Sequence, residues 1–203
     1  MRIDKLLIIP DAEQMERSIA IAKQYGCGFE YNDFYDPVFV DSSSCDERIV
    51  YYKTMEQLPQ YCTMHGAFFD VTVFSDDPKI AEVSDLRVEQ SLEIACKLGV
   101  KAVVFHTNFV PNFNTEAYHN NWVERNVRYW AEKLEKYKDI HIYIENMFDM
   151  SYRLLERLAK QLCRYPNFGV CLDYAHVHAF GKKADPEEWV RELAPYEIGR
   201  AHV

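Results

Sequence analysis

The stretch Gly169-Val170-Cys171-Leu172-Asp173-Tyr174-Ala175-His176-Val177-His178 decides how the rest of the chain is read. Its apolar first half suits a strand covered on both faces. The run stops abruptly at Asp173, and three residues later comes His176. A carboxylate and an imidazole placed together suit a divalent cation or a proton transfer.

Moving outward toward the N-terminus, the same pattern recurs. Ile140 to Ile144 ends in Glu145-Asn146, Val100 to Phe105 delivers His106, and Cys62-Thr63-Met64 delivers His65. A helical stripe precedes each of the later runs: Leu155, Leu158 and Leu162; Val123, Val127, Trp130, Leu134 and Tyr137; Val88, Leu92, Ala95 and Cys96, closed by Gly99. Farther out, Cys27 to Tyr31 and Leu6 to Ile9 read as strands around a helix carrying Met15, Ile19 and Ala22, closed by Gly26. Ser44-x-x-Glu47 predicts a capping box opening a helix through Leu58, and Asp77-Pro78 and Asp185-Pro186 predict two more helix starts. The last helix runs through Leu193, and no seventh strand is expected.

Alternating strands and helices, with strands apolar on both faces, predict a parallel sheet with right-handed crossovers. A doubly wound nucleotide binder needs a Gly-rich loop after its first strand, where this chain has Pro10-Asp11-Ala12-Glu13. A barrel instead places polar groups at the C-terminal ends of many strands. His65, His106, Glu145, Asp173 and His176 fit that arrangement. The expected class is α/β: a (β/α)8 TIM barrel, incomplete, with about six of eight strand–helix units present.

The 203 residues and 48% hydrophobic composition suffice for one buried core and show no linker between domains. A net charge of -9, with no run of Lys and Arg, disfavours nucleic acid as a partner. The N-terminal apolar stretch is broken at once by Pro10-Asp11, too short for a signal peptide or a membrane span, so a cytoplasmic protein without membrane contact is expected. The six cysteines include no Cys-x-x-Cys and read mostly as packed thiols.

Among single residues, a carboxylate directly after His-Ile-Tyr-Ile is costly to bury without a cation or proton to share, which marks Glu145. His65 and His106 are candidates because they occupy equivalent places in successive units. His119 at a helix start and His141 at a strand start read as structural, and His178 reads either as a hydrogen-bond donor to a metal ligand or, in preference, as a polar residue in the loop running to Gly181. Glu30, Asp33 and Asp70 read as solvated loop acids. Phe68, Phe69, Phe109 and Phe113 read either as rim aromatics that pack on a ligand or as core.

The constellation resembles the xylose isomerase-like TIM-barrel superfamily, which includes sugar and sugar-phosphate isomerases and epimerases and also endonuclease IV-type nucleases. Gly-Val-Cys-Leu-Asp-Tyr-Ala-His looks like the family's sixth-strand D-x-x-H, and Ile-Tyr-Ile-Glu-Asn like its fifth-strand metal glutamate. The resemblance implies Glu145 and Asp173 as ligands of a divalent metal (Mn, Zn, Co or Mg), with Glu145 also a proton-shuttling catalytic residue. His176, His65 and His106 are the implied substrate-binding residues. The implied reaction is isomerisation or epimerisation of a small sugar, sugar phosphate or polyol by proton transfer alpha to a carbonyl, with a homo-oligomer as one compatible assembly. In the nuclease branch, His65 and His106 match histidines that hold additional zinc, His176 holds a further metal, and the substrate is abasic DNA.

The family's pattern continues into a seventh-strand His and an eighth-strand Glu. Residues 197–203, Glu-Ile-Gly-Arg-Ala-His-Val, look like an in-frame translation of a sequencing-adapter oligonucleotide. The expected domain is therefore residues 1–196, lacking strands 7 and 8, with 197–203 a non-native scar. The competing reading makes His202-Val203 the start of a seventh strand.

Overall fold

The computed structural model describes residues 6–181, 185–196 and 198–202, the last by backbone path alone. Residues 1–5, part of the stretch from which the absence of a leader was expected, lie outside the described residues, as do Glu197 and Val203.

Strands and helices alternate. The first half contains β1 (Leu7–Ile8), α1 (Met15–Tyr25), β2 (Gly28–Tyr31), a short α2 (Pro37–Val40), α3 (Ser43–Thr54), β3 (Cys62–His65) and α4 (Pro78–Leu98). There follow β4 (Ala102–His106), α5 (Glu116–Lys136), β5 (His141–Glu145), α6 (Arg153–Leu162), β6 (Phe168–Asp173), α7 (Tyr174–Phe180), α8 (Pro186–Leu193) and β7 (Ile198–His202). Neighbouring strands pair in parallel in sequence order, and β1 and β7 are the edges of the sheet among the described residues. The architecture is an incomplete (β/α) barrel.

Beyond the six expected strand–helix units the sheet carries an edge strand, β7, at a place where no further strand was expected. It pairs with β6, setting His202 in register with Asp173, with a register shift at Val170–Cys171. The outward backbone groups of β6 need hydrogen-bond partners, and the next extended segment supplies them.

Most helix starts follow side-chain chemistry. Asp77 accepts from the Lys79 N–H, Thr115 from Tyr118 and Asp185 from Glu187. At its other end α4 is closed by Gly99 in the left-handed conformation, φ 72°. The capping box expected at Ser44 and Glu47 does not form: Ser42 is the N-cap of α3, and its hydroxyl donates to the Phe39 carbonyl at 2.6 Å. The same helix ends at Thr54 rather than Leu58, because Met55 is already extended.

Side-chain alternation along the strands creates two cores. Phe29, Met64, Val103, Phe105, Ile142, Ile144, Val170 and Leu172 point outward, under helix residues such as Leu92, Trp130 and Leu158. Residues of the opposite parity, Ala102, Val104, Tyr143 and Cys171, form a separate inner cluster. Full burial of a side chain of Leu or Phe size stabilises by roughly 1.5–3 kcal/mol, so the outer layer holds the sheet and helices together. The inner parity carries the polar groups at the strand ends. Among the described residues, no helix is long and apolar enough to cross a membrane.

Candidate functional site

Four consecutive strands end on one rim. Their last residues are His65, His106, Glu145 and Asp173. His106 stands in register with Glu145, so these two side chains project from the same height. His176 joins them from the first turn of α7, whose N-terminus Asp173 caps by accepting from the His176 N–H at 2.7 Å.

Glu145 is the hub, and it is 1% exposed. Its Oε1 lies 3.6 Å from His106 Nε2 and 3.4 Å from His176 Nδ1, and its Oε2 lies 4.0 Å from His65 Nε2. Two groups of potential ligands share this carboxylate: His65, His106 and Glu145, and Glu145, Asp173 and His176, each with atoms within 4.8 Å of one another.

The hydrogen bonds fix the tautomers. His65 Nδ1 lies 3.1 Å from the Gly66 carbonyl. A carbonyl can only accept, so Nδ1 carries the proton and Nε2 turns a lone pair toward Glu145. Lone pair and carboxylate repel unless a cation or proton lies between them. His106 repeats the theme, since neither of its buried ring nitrogens has a hydrogen-bond partner among the described residues. Zinc held at about 2.0–2.2 Å by imidazole and carboxylate needs such donors about 3.3 Å apart in a tetrahedral site. The two histidine–carboxylate distances, 3.6 and 4.0 Å, exceed that by less than an ångström, so these donors fit a divalent ion.

On the other side, His176 Nδ1 lies 2.8 Å from the Asn146 carbonyl, which commits this nitrogen as a donor and leaves Nε2 for a ligand. Asn146 also clamps Asp173, donating to its carbonyl at 3.0 Å and accepting from its N–H at 2.8 Å. The strand ends bearing Glu145 and Asp173 are thereby locked together.

The two histidines are shifted in opposite directions. Burial, and next the neighbouring His106, push the His65 imidazole down from 6.5 to about 4. For His176 the hydrogen bond to Glu145 is the largest influence and raises the pKa, against a partial desolvation.

Sequence reasoning missed several supporting residues. Asn146 follows Glu145 directly, yet its clamp depends on strand register. Asp149 is fully buried beside the rim, where its carboxylate accepts from the Thr107 hydroxyl at 2.5 Å and the Met147 N–H at 3.0 Å, and burial raises its pKa. Glu30 is no solvated loop acid: it lies buried on β2, and Thr63 donates to it at 3.2 Å. Asp33 is likewise engaged, by Tyr52 and Arg48, whereas Asp70 is exposed. His178 lies on α7 and not in a loop, because the Asp173 cap lets the helix start directly from β6. Of the four aromatics, Phe109 is core, packed against Trp122. Phe69 and Phe113 are exposed. Phe68 reaches the site and lies against both His65 and His106. Gly66 allows this close approach of strands, since a Cβ there would run into the Phe105 ring.

Solved structures share the fold. A D-tagatose 3-epimerase-like protein superposes with a TM-score of 0.70 at 20% identity, covering 98% of this chain and 74% of that one. The IolI protein with a bound zinc atom gives 0.67 at 17% identity, covering 97% and 72%. Endonuclease IV from Thermus thermophilus gives 0.57 at 16% identity, covering 98% and 74%. No curated protein sequence matches the chain. The family model for xylose isomerase-like TIM barrels matches residues 19–203, and the chain belongs to that family.

Proposed function

We propose that this rim is the active centre of a divalent-metal-dependent isomerase or epimerase acting on a small sugar, sugar phosphate or polyol. The observation that carries the reading is the state of His176. Its Nδ1 is committed to the Asn146 carbonyl and its side chain remains 23% exposed, so Nε2 is open to a substrate oxygen. Glu145 and Asp173 would hold the ion, which when bound supplies polarisation of a substrate carbonyl, and His65 and His106 form a further donor set on the far side of Glu145.

The rest of the work falls to the chain. Glu145 removes the proton from the carbon next to the carbonyl. Its burial keeps water away from that proton, and the His176 Nδ1–H beside it stabilises the carboxylate before it reacts. His176 fixes the substrate hydroxyl, while the Asn146 clamp keeps Asp173 and Glu145 at constant separation.

The test is deuterium incorporation from D2O into the carbon beside a ketose carbonyl, followed by NMR with the metal-loaded chain. Incorporation supports the reading. Cleavage of an abasic DNA duplex without incorporation would replace it with the nuclease reading, which has one observation in its favour: the His65–His106–Glu145 group is a second ligand set on the same carboxylate. The net charge of -9 opposes a DNA partner.

A further inference from the structure

The two sides of Glu145 are covered differently. Over His65 and His106 lies the ring of Phe68, with centroids 4.9 Å and 4.4 Å away. Phe68 is backed in turn by Tyr35 at 5.6 Å and Phe69 at 4.5 Å. On the opposite side His176 keeps solvent contact, and its aromatic neighbour Phe180, at 6.0 Å, is itself 38% exposed.

Phe68 belongs to the connection between β3 and α4, residues 66–77. That connection is pinned along its length. The Ala67 N–H donates to Ser91 Oγ at 2.9 Å and the Thr72 N–H to Ser84 Oγ at 2.8 Å. Asn108 donates to the Val71 carbonyl at 2.9 Å, and Arg125 to the Ser75 carbonyl at 2.7 Å. Both serines are buried on α4, and Asn108 reaches Val71 from a left-handed backbone position, φ 46°. A loop held by side chains from two helices and a neighbouring connection cannot swing as a lid without breaking several of these bonds together.

We propose that Phe68 is a fixed cover over the His65–His106 pair: it closes that side of Glu145 to anything larger than an ion or a water and leaves the Asp173–His176 side as the substrate's way in. This assigns a specificity-determining role to a residue that touches neither Asp173 nor His176 among its ring contacts. It rests on the reading of the rim as a substrate site. It also narrows that reading, because a cleft open on one side takes a small polyol more readily than a chain that must cross both.

The test is site-resolved modification of imidazoles by diethyl pyrocarbonate at pH 8, mapped by mass spectrometry on the full chain freed of metal by chelation. His65, whose pKa lies near 4, is neutral there, so protonation does not explain a lack of reaction. In the unaltered chain His176 reacts, while His65 and His106 are slow. In Phe68→Ala both slow histidines accelerate by roughly tenfold or more, as a local cover is lost, and His176 changes little. Phe68→Leu falls between, and Phe113→Ala, at an exposed aromatic whose ring contact is Tyr118, matches the unaltered chain.

Equal protection of His65 and His106 in the unaltered chain and in Phe68→Ala overturns the proposal, as does protection of His176 in the unaltered chain. Should Phe68→Ala lose its near-ultraviolet circular dichroism, Phe68→Leu decides by the same criterion. Labelling needs no turnover, so the expected pattern without proton exchange retires the proposed reaction and keeps the cover. Proton exchange with an unresponsive pattern does the reverse.

Discussion

The His65–His106 side and the Asp173–His176 side use the same chemical groups around one carboxylate, yet their environments differ. The first is buried beneath Phe68, with the His65 lone pair turned toward Glu145 and its pKa pushed to about 4. The second is half-open and hydrogen-bonded, and its imidazole is held above the ordinary value by Glu145. Residue type therefore does not determine the role of a histidine at this rim. Burial favours the neutral ligand form, whereas a carboxylate and a carbonyl acceptor favour the protonated donor form.

The largest expected effect comes from removing the shared group. Glu145→Gln keeps the shape but loses the base, and proton exchange into a ketose should fall by about 10²–10⁴-fold. In the same variant the His176 pKa should drop, since Glu145 is its largest raising influence, and an NMR titration would show it. An unchanged His176 would mean that the two sides are not coupled through Glu145.

Stability against pH probes the buried side. The folded pKa of His65 lies below its unfolded value of 6.5, so the folded state binds fewer protons between 6.5 and about 4. Stability is then fully present above pH 6.5 and is lost as pH falls toward 4, by roughly 3 kcal/mol from this group. Urea unfolding of the metal-free chain at several pH values should show that loss, and His65→Asn should flatten it. His176 works in the opposite sense: its contribution is present below 6.5 and fades as pH rises through its raised folded pKa.

Smaller changes follow from the supports. Asn146→Ala leaves the Asp173 N–H and carbonyl without their clamp, at a cost of about 2–3 kcal/mol in unfolding free energy, together with weaker metal binding by calorimetry. Asn108→Ala costs about 1 kcal/mol through its lost bond to the Val71 carbonyl. Hydrogen exchange should then quicken at Thr72 and Ser75, and diethyl pyrocarbonate should reach His65 more readily. Slow exchange at both amides would show that the cover is pinned elsewhere.

Much of this was legible in the sequence. The period of each segment separated strand from helix, and the abrupt polar ends of the apolar runs pointed to one rim, because parity and direction are shared by all strands of a parallel barrel. His65, His106, Glu145, Asp173 and His176 do converge. The parts that were not legible depend on partners distant in sequence. Glu30 is buried because β2 sets it beside Thr63, which its local surroundings do not reveal. The tautomers of His65 and His176 depend on two backbone carbonyls, and the role of Phe68 on bonds from α4, α5 and the β4–α5 connection. The Ser44–Glu47 box failed because α2 drew the chain into a helix start two residues earlier.

The contrast between the two sides of Glu145 is tested most directly by NMR titration of the individual imidazoles in the metal-free chain. The account predicts that His65 titrates near 4 and His176 above 6.5, and that one equivalent of zinc suppresses the proton-dependent shifts of His65. Both histidines titrating together near 6.5, unaffected by zinc, would contradict it.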